Sequence, residues 1–407
     1  MDKMISRSKE LEASSKITVG LLGAGFIGQM HALALRNAAT SMWEPKIHVL
    51  PKILAEVDFE LCTKVGERFD WEECTENWEE IVDDSEIDLF INAGPNHIHA
   101  QPTIAAAKKG KHVFCEKPLA STADEAFQIW DKVSETGVIQ MCAFMYRSIP
   151  ALNLAREMIQ SGEIGEVRHF RSRFLLNMLT EDGNLSWRFS KSQAGLGAMG
   201  DLGSHHVDQA RFLVGELVRV GALTKTWSTD KQKKILDVND DAFVCVAEFE
   251  SGATASFEAS RVATAHNLGG WIEVDGTKKS LSFQMERLNE LVIYEPNKGP
   301  RSQLVTQTGQ PYSDFWLPSG IQGQHPLGWN ECFAHQARHI LEAIAMSKPI
   351  APRADFEDGY RVAEVIETIA RSAESGRFEY VNYRQRASKK VSFEPVSYTH
   401  LTLPTRS

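Results

Sequence analysis

The segment GAGFIG at residues 23–28 constrains the fold more than any other feature of the chain. It fits the spacing GxGxxG, in which the first glycine allows a tight turn, the second lets a phosphate approach the backbone, and the third lets a helix pack close. An apolar, β-branched run at residues 17–22 precedes it, and a stretch with helical spacing follows. This order predicts a dinucleotide site with its phosphates at the helix N-terminus. A glycine-rich turn with a purely structural role is the alternative.

The chain after this motif continues to alternate between strand and helix. Strand-like runs, separated by helical stretches, occupy residues 53–57, 88–93, 112–115 and 138–143. Such alternation predicts a parallel sheet covered by helices on both faces. After residue 146 the pattern changes to a helix at 150–160 and then to alternating runs at 167–175, 242–250, 254–259 and 271–275. These runs predict an antiparallel or mixed sheet in a second domain.

The predicted organisation is therefore an α/β chain with two folded domains. The Rossmann domain is placed at residues 16–145 and the second, α/β domain at residues 146–395. Residues 1–15 are polar and aperiodic, and we predict that they are disordered. Residues 396–407 resemble the translation of a sequencing adapter, and we predict that they are a non-native tail.

Charge and composition exclude several classes of partner. The formal net charge is −10, from 44 Lys and Arg against 54 Asp and Glu, without a local basic patch. Such a surface would repel a phosphate backbone, so we expect no nucleic-acid partner. No stretch approaches the ~18 uninterrupted apolar residues of a membrane span, and we expect a soluble, cytoplasmic protein with no membrane partner. The six cysteines lie far apart with no CxxC pair, which is typical of reduced core residues.

Asp58 is the candidate for binding the ribose hydroxyls of a dinucleotide. An acidic residue is expected about 20 residues after the glycine motif, whereas Asp58 lies later, at the end of the run 53–57. An insertion at residues 38–50, with Pro45 and Pro51 as breakers, would delay the second strand without moving its end. A carboxylate here favours NAD over NADP because it repels a 2′-phosphate. The alternative is that Asp58 only caps the following helix.

Two further motifs carry groups that can handle a proton. Lys117, in the sequence EKP, directly follows the strand-like run HVFC, which places it at the carboxyl edge of the sheet, where ligands bind. Asp201 and His205, in the sequence DLGSHHVD, are four residues apart, so a helix would put both on one face. Such a pair can take a proton from an alcohol.

The same histidines and carboxylates allow two other interpretations. A metal could be bound by Asp201, His205 or His206, and Asp208, together with His97 and His99. No HExxH-type element supports that site, and we predict no metal. The histidines could also simply cap helices and pack in the core.

Together the motifs GAGFIG, GPNHIHA, EKP and DLGSHHVD, in that order, resemble the Gfo/Idh/MocA family of oxidoreductases. The resemblance extends over about residues 16–381. It implies an N-terminal Rossmann domain and a C-terminal α/β domain whose open-faced, mostly antiparallel sheet commonly forms the subunit interface. It also implies a homodimer or homotetramer, and substrates that are sugars, inositols, related polyols or their keto forms.

The resemblance further implies a role for each matched residue. The pyrophosphate would be held by Gly23, Gly25, Phe26, Ile27 and Gly28, and the adenosine ribose by Asp58. The nicotinamide side would be lined by Pro95, Asn96, His99, Glu116 and Lys117. The catalytic residues would be Lys117, Asp201 and His205, and Tyr146 and Arg147 fall where substrate contacts are common. Trp187 and Arg188 also match a family element. The chain departs from the family at Gly94, where Thr is usual, and at residues 195–197, which read Gly-Leu-Gly where three glycines are usual.

The main functional hypothesis is an NAD-dependent dehydrogenase, with NADP less favoured, for a cyclic polyol or sugar of the inositol, aldose or anhydrosugar type. His205 would take the hydroxyl proton as hydride leaves the same carbon. Asp201 would orient His205 or bind a neighbouring hydroxyl, and Lys117 would stabilise the negative charge that develops on the oxygen. The alternatives are a glycosidase that retains NAD and works by oxidation and elimination, and a noncatalytic regulator that binds NAD(P).

Overall fold

The computed structural model describes residues 15–41, 47–179, 185–229, 237–316, 325–347 and 354–386. The predicted disordered N-terminus, 1–15, lies outside these residues apart from Ser15, which begins the first strand. The predicted non-native tail at 396–407 lies outside them entirely. None of the helices in the described residues is long and apolar enough to cross a membrane.

The first sheet has six parallel strands, β1 (Ser15–Leu22), β2 (Ile47–Ala55), β3 (Glu73–Thr75), β4 (Leu89–Asn92), β5 (His112–Cys115) and β6 (Gln140–Cys142). The helices of this part are α1 (Phe26–Thr40), α2 (Phe59–Phe69), α3 (Trp78–Asp83), α4 (Ala100–Lys108) and α5 (Ala123–Ser134). The strand order β3-β2-β1-β4-β5-β6 is that of a Rossmann fold, and it reverses between β1 and β4. The carboxyl ends of these two strands therefore border the crevice in which a dinucleotide binds. The predicted Rossmann domain is confirmed.

Strand β2 starts earlier than the sequence analysis predicted. It begins at Ile47, inside the segment assigned to an insertion, and Pro51 lies within the strand opposite Val19. The prediction that Pro51 breaks the chain is wrong, because a bulge at this point accommodates it. The register moves from the pair Val19–Pro51 to the pair Gly20–Ile53, which leaves Lys52 as the extra residue. Pro45 lies outside the described residues.

The second sheet has nine strands, β7 (Val167–Leu175), β8 (Leu217–Lys225), β9 (Ala242–Phe249), β10 (Thr254–Ser260), β11 (Gly269–Gly276), β12 (Ser280–Gln284), β13 (Glu290–Glu295), β14 (Gly299–Leu304) and β15 (Glu379–Tyr380). Their order is β14-β13-β12-β11-β7-β10-β9-β8-β15, and only the pair β7–β10 is parallel. Helices α6 (Pro150–Gln160), α7 (Ser204–Leu213), α8 (Trp329–Ala345) and α9 (Phe356–Ser375) belong to this half of the chain. The predicted α/β domain with an open-faced, mostly antiparallel sheet is confirmed.

The last two helices return to the Rossmann half of the molecule. Helix α8 packs along α1, and α9 packs against α5 as well as against β8 of the second sheet. The first residue of α8, Trp329, stacks on Phe26 with ring centroids 6.2 Å apart. A C-terminal helix therefore borders the glycine loop. The proposed boundary between residues 145 and 146 stays a prediction.

Candidate active site at the carboxyl edge of the Rossmann sheet

The glycine loop between β1 and α1 leaves space for a ligand at its centre. Gly23 has a φ of +100°, and a Cβ there would lie 2.7 Å from the carbonyl oxygen of Ala93. A Cβ on Gly28 would overlap the carbonyl oxygen of Gly23, so both positions require glycine for the turn to close. A Cβ on Gly25, by contrast, would meet no protein atom within 4 Å. The middle glycine thus faces open space.

The N-terminus of α1 is suited to an anion. Its N-cap is Gly25, which supplies no side-chain hydrogen bond, and its first turn contains no acidic residue. The first backbone N–H groups of a helix have no partner within the helix and carry a partial positive charge. The open cradle at Gly25 and this helix end together fit the pyrophosphate of a dinucleotide.

Two carboxylates follow β2, and they face different partners. Glu56 accepts a hydrogen bond from the backbone N–H of Ala24 at 2.8 Å, so its side chain reaches the glycine loop. Asp58 is the N-cap of α2 and accepts from the backbone N–H of Leu61 at 3.1 Å. The geometry thus favours the capping alternative for Asp58 and brings Glu56, which the sequence analysis missed, to the cofactor loop. The sequence feature that could have identified Glu56 is its position as the first carboxylate after strand β2.

The predicted nicotinamide-side residues of the loop after β4 mainly hold other parts of the protein. The buried ring of His99 lies 3.0 Å from the carbonyl oxygen of Pro118 through Nδ1 and 2.9 Å from that of Gly94 through Nε2. His99 therefore ties two loops together, and its ring nitrogens are not directed at a ligand. The side-chain amide of Asn96 donates to the carbonyl oxygen of Ala194 at 3.0 Å. Pro95 precedes it at the start of a short helical turn.

Glu116 is a buried carboxylate at the end of β5. One oxygen lies 2.7 Å from Nε2 of His31 on α1, and the other accepts from the backbone N–H of Lys117 at 3.0 Å. Burial alone would raise the pKa of Glu116, but the hydrogen bond from His31 and nearby positive charge lower it below the usual value. His31, which the sequence analysis did not single out, links α1 to the EKP motif.

Lys117 and Asp201 form an ion pair across the two halves of the molecule. The Lys117 Nζ lies 2.7 Å from Oδ1 of Asp201 and donates to the backbone carbonyl of the same residue at 3.1 Å. Burial acts to raise the pKa of Asp201, but the charge of Lys117 outweighs it and lowers that pKa to about 2. Asp201 is therefore a carboxylate at neutral pH, and it fixes the lysine in place.

His205 lies one helical turn beyond Asp201 and is surrounded by aromatic rings. Its ring centroid lies 4.4 Å from that of Tyr146 and 6.3 Å from that of Phe144. Its Nδ1 is buried and has no hydrogen-bond partner among the described residues. Burial, and then the positive charge of Lys117, hold the pKa of His205 well below its ordinary value. The imidazole is therefore neutral and can accept a proton.

The two residues predicted to contact substrate after β6 differ in what they can do. Tyr146 packs on His205 and is buried, so it forms part of the wall behind the histidine. The guanidinium of Arg147 is instead buried in ion pairs, so the geometry does not favour the predicted substrate contact. It lies 2.6 Å from Asp208 on α7 and 3.1 Å from Asp358 on α9. A guanidinium held in this way joins elements of the fold instead of facing a ligand.

Arg188 adds positive charge beside the ion pair. Its guanidinium lies 4.6 Å from the centre of the Trp187 ring. Burial acts to raise the pKa of Asp201, Lys117 lowers it most, and the charge of Arg188 lowers it further.

The Gly-Leu-Gly loop, residues 195–197, follows Arg188 in the chain. Gly195 has a φ of +73°, and the carbonyl oxygen of this residue accepts from the side chain of Asn239 at 3.0 Å. Among the described residues, no group of three His, Cys, Asp or Glu side chains could hold a metal ion.

Similarity to known proteins agrees with this geometry. The family model described as "Oxidoreductase family, NAD-binding Rossmann fold" matches residues 17–144. The family model described as "GFO/IDH/MocA C-terminal domain" matches residues 152–282. Levoglucosan dehydrogenase from Pseudarthrobacter phenanthrenivorans is 35% identical over 380 residues, which cover 88% of this chain and 96% of that protein. The chain belongs to the Gfo/Idh/MocA family. The resemblance carried by the four sequence motifs is thus confirmed.

One relative of known structure extends the match to the fold, and a second relative extends it by sequence. Levoglucosan dehydrogenase in complex with NADH has a TM-score of 0.85 at 36% identity, covering 90% of this chain and all of that chain. The scyllo-inositol 2-dehydrogenase (NAD(+)) of Bacillus subtilis is 30% identical over 280 residues, or 68% of this chain and 77% of that protein. As a Gfo/Idh/MocA member, the chain is an NAD-dependent oxidoreductase.

Proposed function

We propose that this Gfo/Idh/MocA protein oxidises a hydroxyl-bearing carbon of a sugar or cyclic polyol, with NAD as cofactor. The observation that carries the proposal is the contact of 2.7 Å between Lys117 and Asp201 beside the neutral His205. These three side chains come from opposite halves of the molecule and meet at the sheet edge next to the glycine loop. Oxidation of an alcohol is promoted by this combination, because a proton acceptor takes the hydroxyl proton and a fixed cation stabilises the charge on the oxygen.

Each group has a separate task in this proposal. His205 accepts the hydroxyl proton, since its low pKa keeps it neutral at pH 7. The Lys117 ammonium orients the substrate oxygen and stabilises its negative charge, while the Asp201 carboxylate holds that ammonium. The N–H groups at the start of α1 bind the pyrophosphate, and Glu56 binds the adenosine ribose. NAD, when bound, supplies the acceptor for the hydride.

The relatives suggest which substrates to examine first. They include a levoglucosan dehydrogenase and a scyllo-inositol dehydrogenase, so we propose a six-membered ring with several hydroxyl groups, and levoglucosan as the first compound. Tyr146 and Arg188 border the three central side chains, and we propose that Arg188 hydrogen-bonds a substrate hydroxyl. Trp187 offers a flat apolar surface beside it.

The test is the appearance of NADH, measured as absorbance at 340 nm, with NAD and a panel of anhydrosugars, aldoses and inositols. We expect Lys117→Ala and His205→Ala to lower kcat by about 100-fold or more, the usual scale for loss of acid–base groups. NADH binding, followed by fluorescence, should persist. Lys109→Ala, an exposed lysine paired with Asp83, is the control and should match the wild type. Near-wild-type turnover in both active-site variants would contradict the proposal.

The same assay separates the proposal from the two alternatives in the sequence analysis. A glycosidase that retains its NAD would release sugar without net NADH, and a regulator would bind NADH without turnover. The named relatives are dehydrogenases, which favours the proposed reaction. A panel that gives no NADH although the protein binds NADH tightly would favour one of the alternatives.

We also propose that the protein is a homodimer or homotetramer associated through the open face of the second sheet. This face exposes Leu223 (68%), Val244 (49%) and Val246 (50%), and apolar side chains grouped in this way are typical of an interface. A Val246→Lys variant should reduce the molar mass measured by light scattering while the folded protein still binds NADH. A wild type of 45.5 kDa would contradict the proposal.

A cytoplasmic location is proposed from the cysteines. All six are free thiols, and five of them are buried. Reduced thiols are typical of proteins in reducing compartments. Cell fractionation with an antibody against the protein tests this location, and recovery in an extracytoplasmic fraction would contradict it.

A further inference from the structure

We infer that Asp240 is a positioning residue for the catalytic centre, acting through the backbone of the helical segment that carries Asp201 and His205. This inference rests on the proposed function. Asp240 lies in the loop before β9, 39 residues beyond Asp201 in the chain, and is 8% exposed. None of the roles above uses it.

Three consecutive backbone N–H groups are bound to Asp240. Gly197 donates to the carboxylate Oδ1 at 2.6 Å, and Met199 donates to Oδ2 at 2.8 Å. Between them, Ala198 donates to the backbone carbonyl oxygen of Asp240 at 2.9 Å. These residues open the helical segment that continues through a π-helical turn at Met199–Gly203 into α7.

The arrangement replaces an ordinary helix cap. The first N–H groups of a helix lack partners within it, and a side chain at the N-cap normally binds one of them. Here the N-cap of the π-helical turn is Ala198, which cannot do so, and a carboxylate from a different loop binds two. Gly197 makes this contact possible, because a Cβ there would overlap the carbonyl oxygen of Asp240.

Gly197 is hydrogen-bonded to the backbone of Asp201, so its position affects the positions of the catalytic side chains. The backbone N–H of Asp201 donates to the carbonyl oxygen of Gly197 at 2.8 Å. Asp201 in turn holds Lys117 through both its carboxylate and its backbone carbonyl. A shift at the start of the segment therefore moves both acceptors of the lysine, and His205 with them. Misplacement by about 1 Å can reduce turnover by about 100-fold.

Asp237 provides a matched control on the same loop. Its carboxylate accepts from the backbone N–H of Ser192 at 2.8 Å, at the start of the short helix Lys191–Ala194. The contact is of the same kind, but this helix carries none of the three catalytic side chains. Asp237→Asn therefore removes a similar carboxylate cap without moving them.

The experiment compares Asp240→Asn with Asp237→Asn in the full chain. In Asp240→Asn the new side-chain amide would turn its nitrogen towards one backbone N–H, so we expect kcat to fall about 10- to 100-fold. The KM for NAD should stay within twofold, because the glycine loop is untouched. Hydrogen exchange followed by mass spectrometry should show faster exchange at residues 197–205 in this variant only. Asp237→Asn should keep the wild-type kcat and the exchange rates of residues 197–205.

A second variant guards against poor folding of Asp240→Asn. Gly197→Ala disturbs the same contact from the other side and leaves every charge in place, so it should show the same fall in kcat. If a folded Asp240→Asn or Gly197→Ala protein keeps kcat within twofold of the wild type, the inference is overturned. If the wild type itself forms no NADH, the proposed function fails, and unchanged exchange at residues 197–205 in Asp240→Asn would separately overturn the positioning role.

Discussion

Glu56 and Asp58 stand two residues apart at the end of β2, yet their side chains face different partners. The Glu56 carboxylate reaches the backbone of Ala24 in the glycine loop, whereas the Asp58 carboxylate binds the first turn of α2. A ribose bound beside the glycine loop would lie within reach of the first and not of the second. A carboxylate at this point also disfavours a 2′-phosphate by charge repulsion.

Substitution of the two carboxylates should therefore separate cofactor binding from stability. Glu56→Gln should raise the KM for NAD by about 10- to 100-fold, the factor for losing a charged hydrogen bond of about 1.5–3 kcal/mol. In the same variant, the difference between the KM values for NAD and NADP should become smaller. Asp58→Ala should lower the free energy of unfolding by about 1 kcal/mol, as for a lost N-cap, and leave the KM for NAD within twofold. A larger rise in KM for Asp58→Ala than for Glu56→Gln would restore the original assignment.

The proximity of site residues could be predicted from the sequence where a motif fixed the neighbours of a side chain. The EKP and DLGSHHVD motifs placed Lys117, Asp201 and His205 in one site, and the structure brings them together. The choice between Glu56 and Asp58 required knowing where β2 ends to within one residue, and strand ends are uncertain by more than that. The burial of Arg147 could not be predicted from the sequence either, because its partner Asp358 is 211 residues away.

A network of charges centred on the buried Arg147 and Asp208 joins the turn after β6 to α7 and α9. Arg147 binds Asp208 through two of its nitrogens and Asp358 through the third. Arg211 on α7 also donates to Asp358 and pairs with Glu216. Burial first, and then the neighbouring Asp358, raise the pKa of Asp208 to about 6 despite Arg147. The network therefore depends on its arginines.

Replacing Arg147 should affect stability far more than catalysis. Arg147→Leu leaves the buried carboxylate of Asp208 and the partly buried carboxylate of Asp358 without this partner, and we expect the free energy of unfolding to fall by about 3–5 kcal/mol. The KM for the sugar should change by less than twofold at a temperature where the variant is folded. Urea unfolding and steady-state kinetics measure the two quantities. The double variant Arg147→Leu with Asp208→Leu should recover part of the lost stability, because it removes an unpaired charge.

A substrate role for Arg147 would give a different pattern. The KM for the sugar would then rise at least tenfold in Arg147→Leu, and the double variant would not recover it. The two patterns distinguish a structural role from a substrate role, because the ion pairs of Arg147 with Asp208 and Asp358 involve no contact with the substrate.

Over the whole molecule, buried histidines make stability depend on pH. Burial lowers the pKa of His99, holds that of His205 well below its ordinary value, and lowers those of His206 and His335 to about 3. These residues lie in both halves of the fold. In the unfolded chain each would titrate near 6.5. The folded protein therefore binds fewer protons than the unfolded chain below that pH.

The sign of the effect follows from this difference. Stability from these histidines is fully present above pH 6.5 and is lost as the pH falls, by about 1.4 kcal/mol per pH unit for each histidine, down to its folded pKa. Asp208 acts in the opposite direction between about pH 6 and 4, because its pKa is raised on folding. One carboxylate offsets only one of the four histidines, so the net effect of these groups is a loss of stability in acid.

We therefore expect the free energy of unfolding, measured with urea at constant ionic strength, to fall by several kcal/mol between pH 7 and pH 5. His206→Met tests the cause, because the His206 ring packs between Phe174 and Phe257, and methionine can fill that apolar space. Below pH 6, the free energy of unfolding of this variant should fall less steeply with decreasing pH than that of the wild type, by about 1.4 kcal/mol per pH unit. A slope equal to that of the wild type would show that protons bind elsewhere, since His206 stays neutral in the fold only if burial excludes its charge.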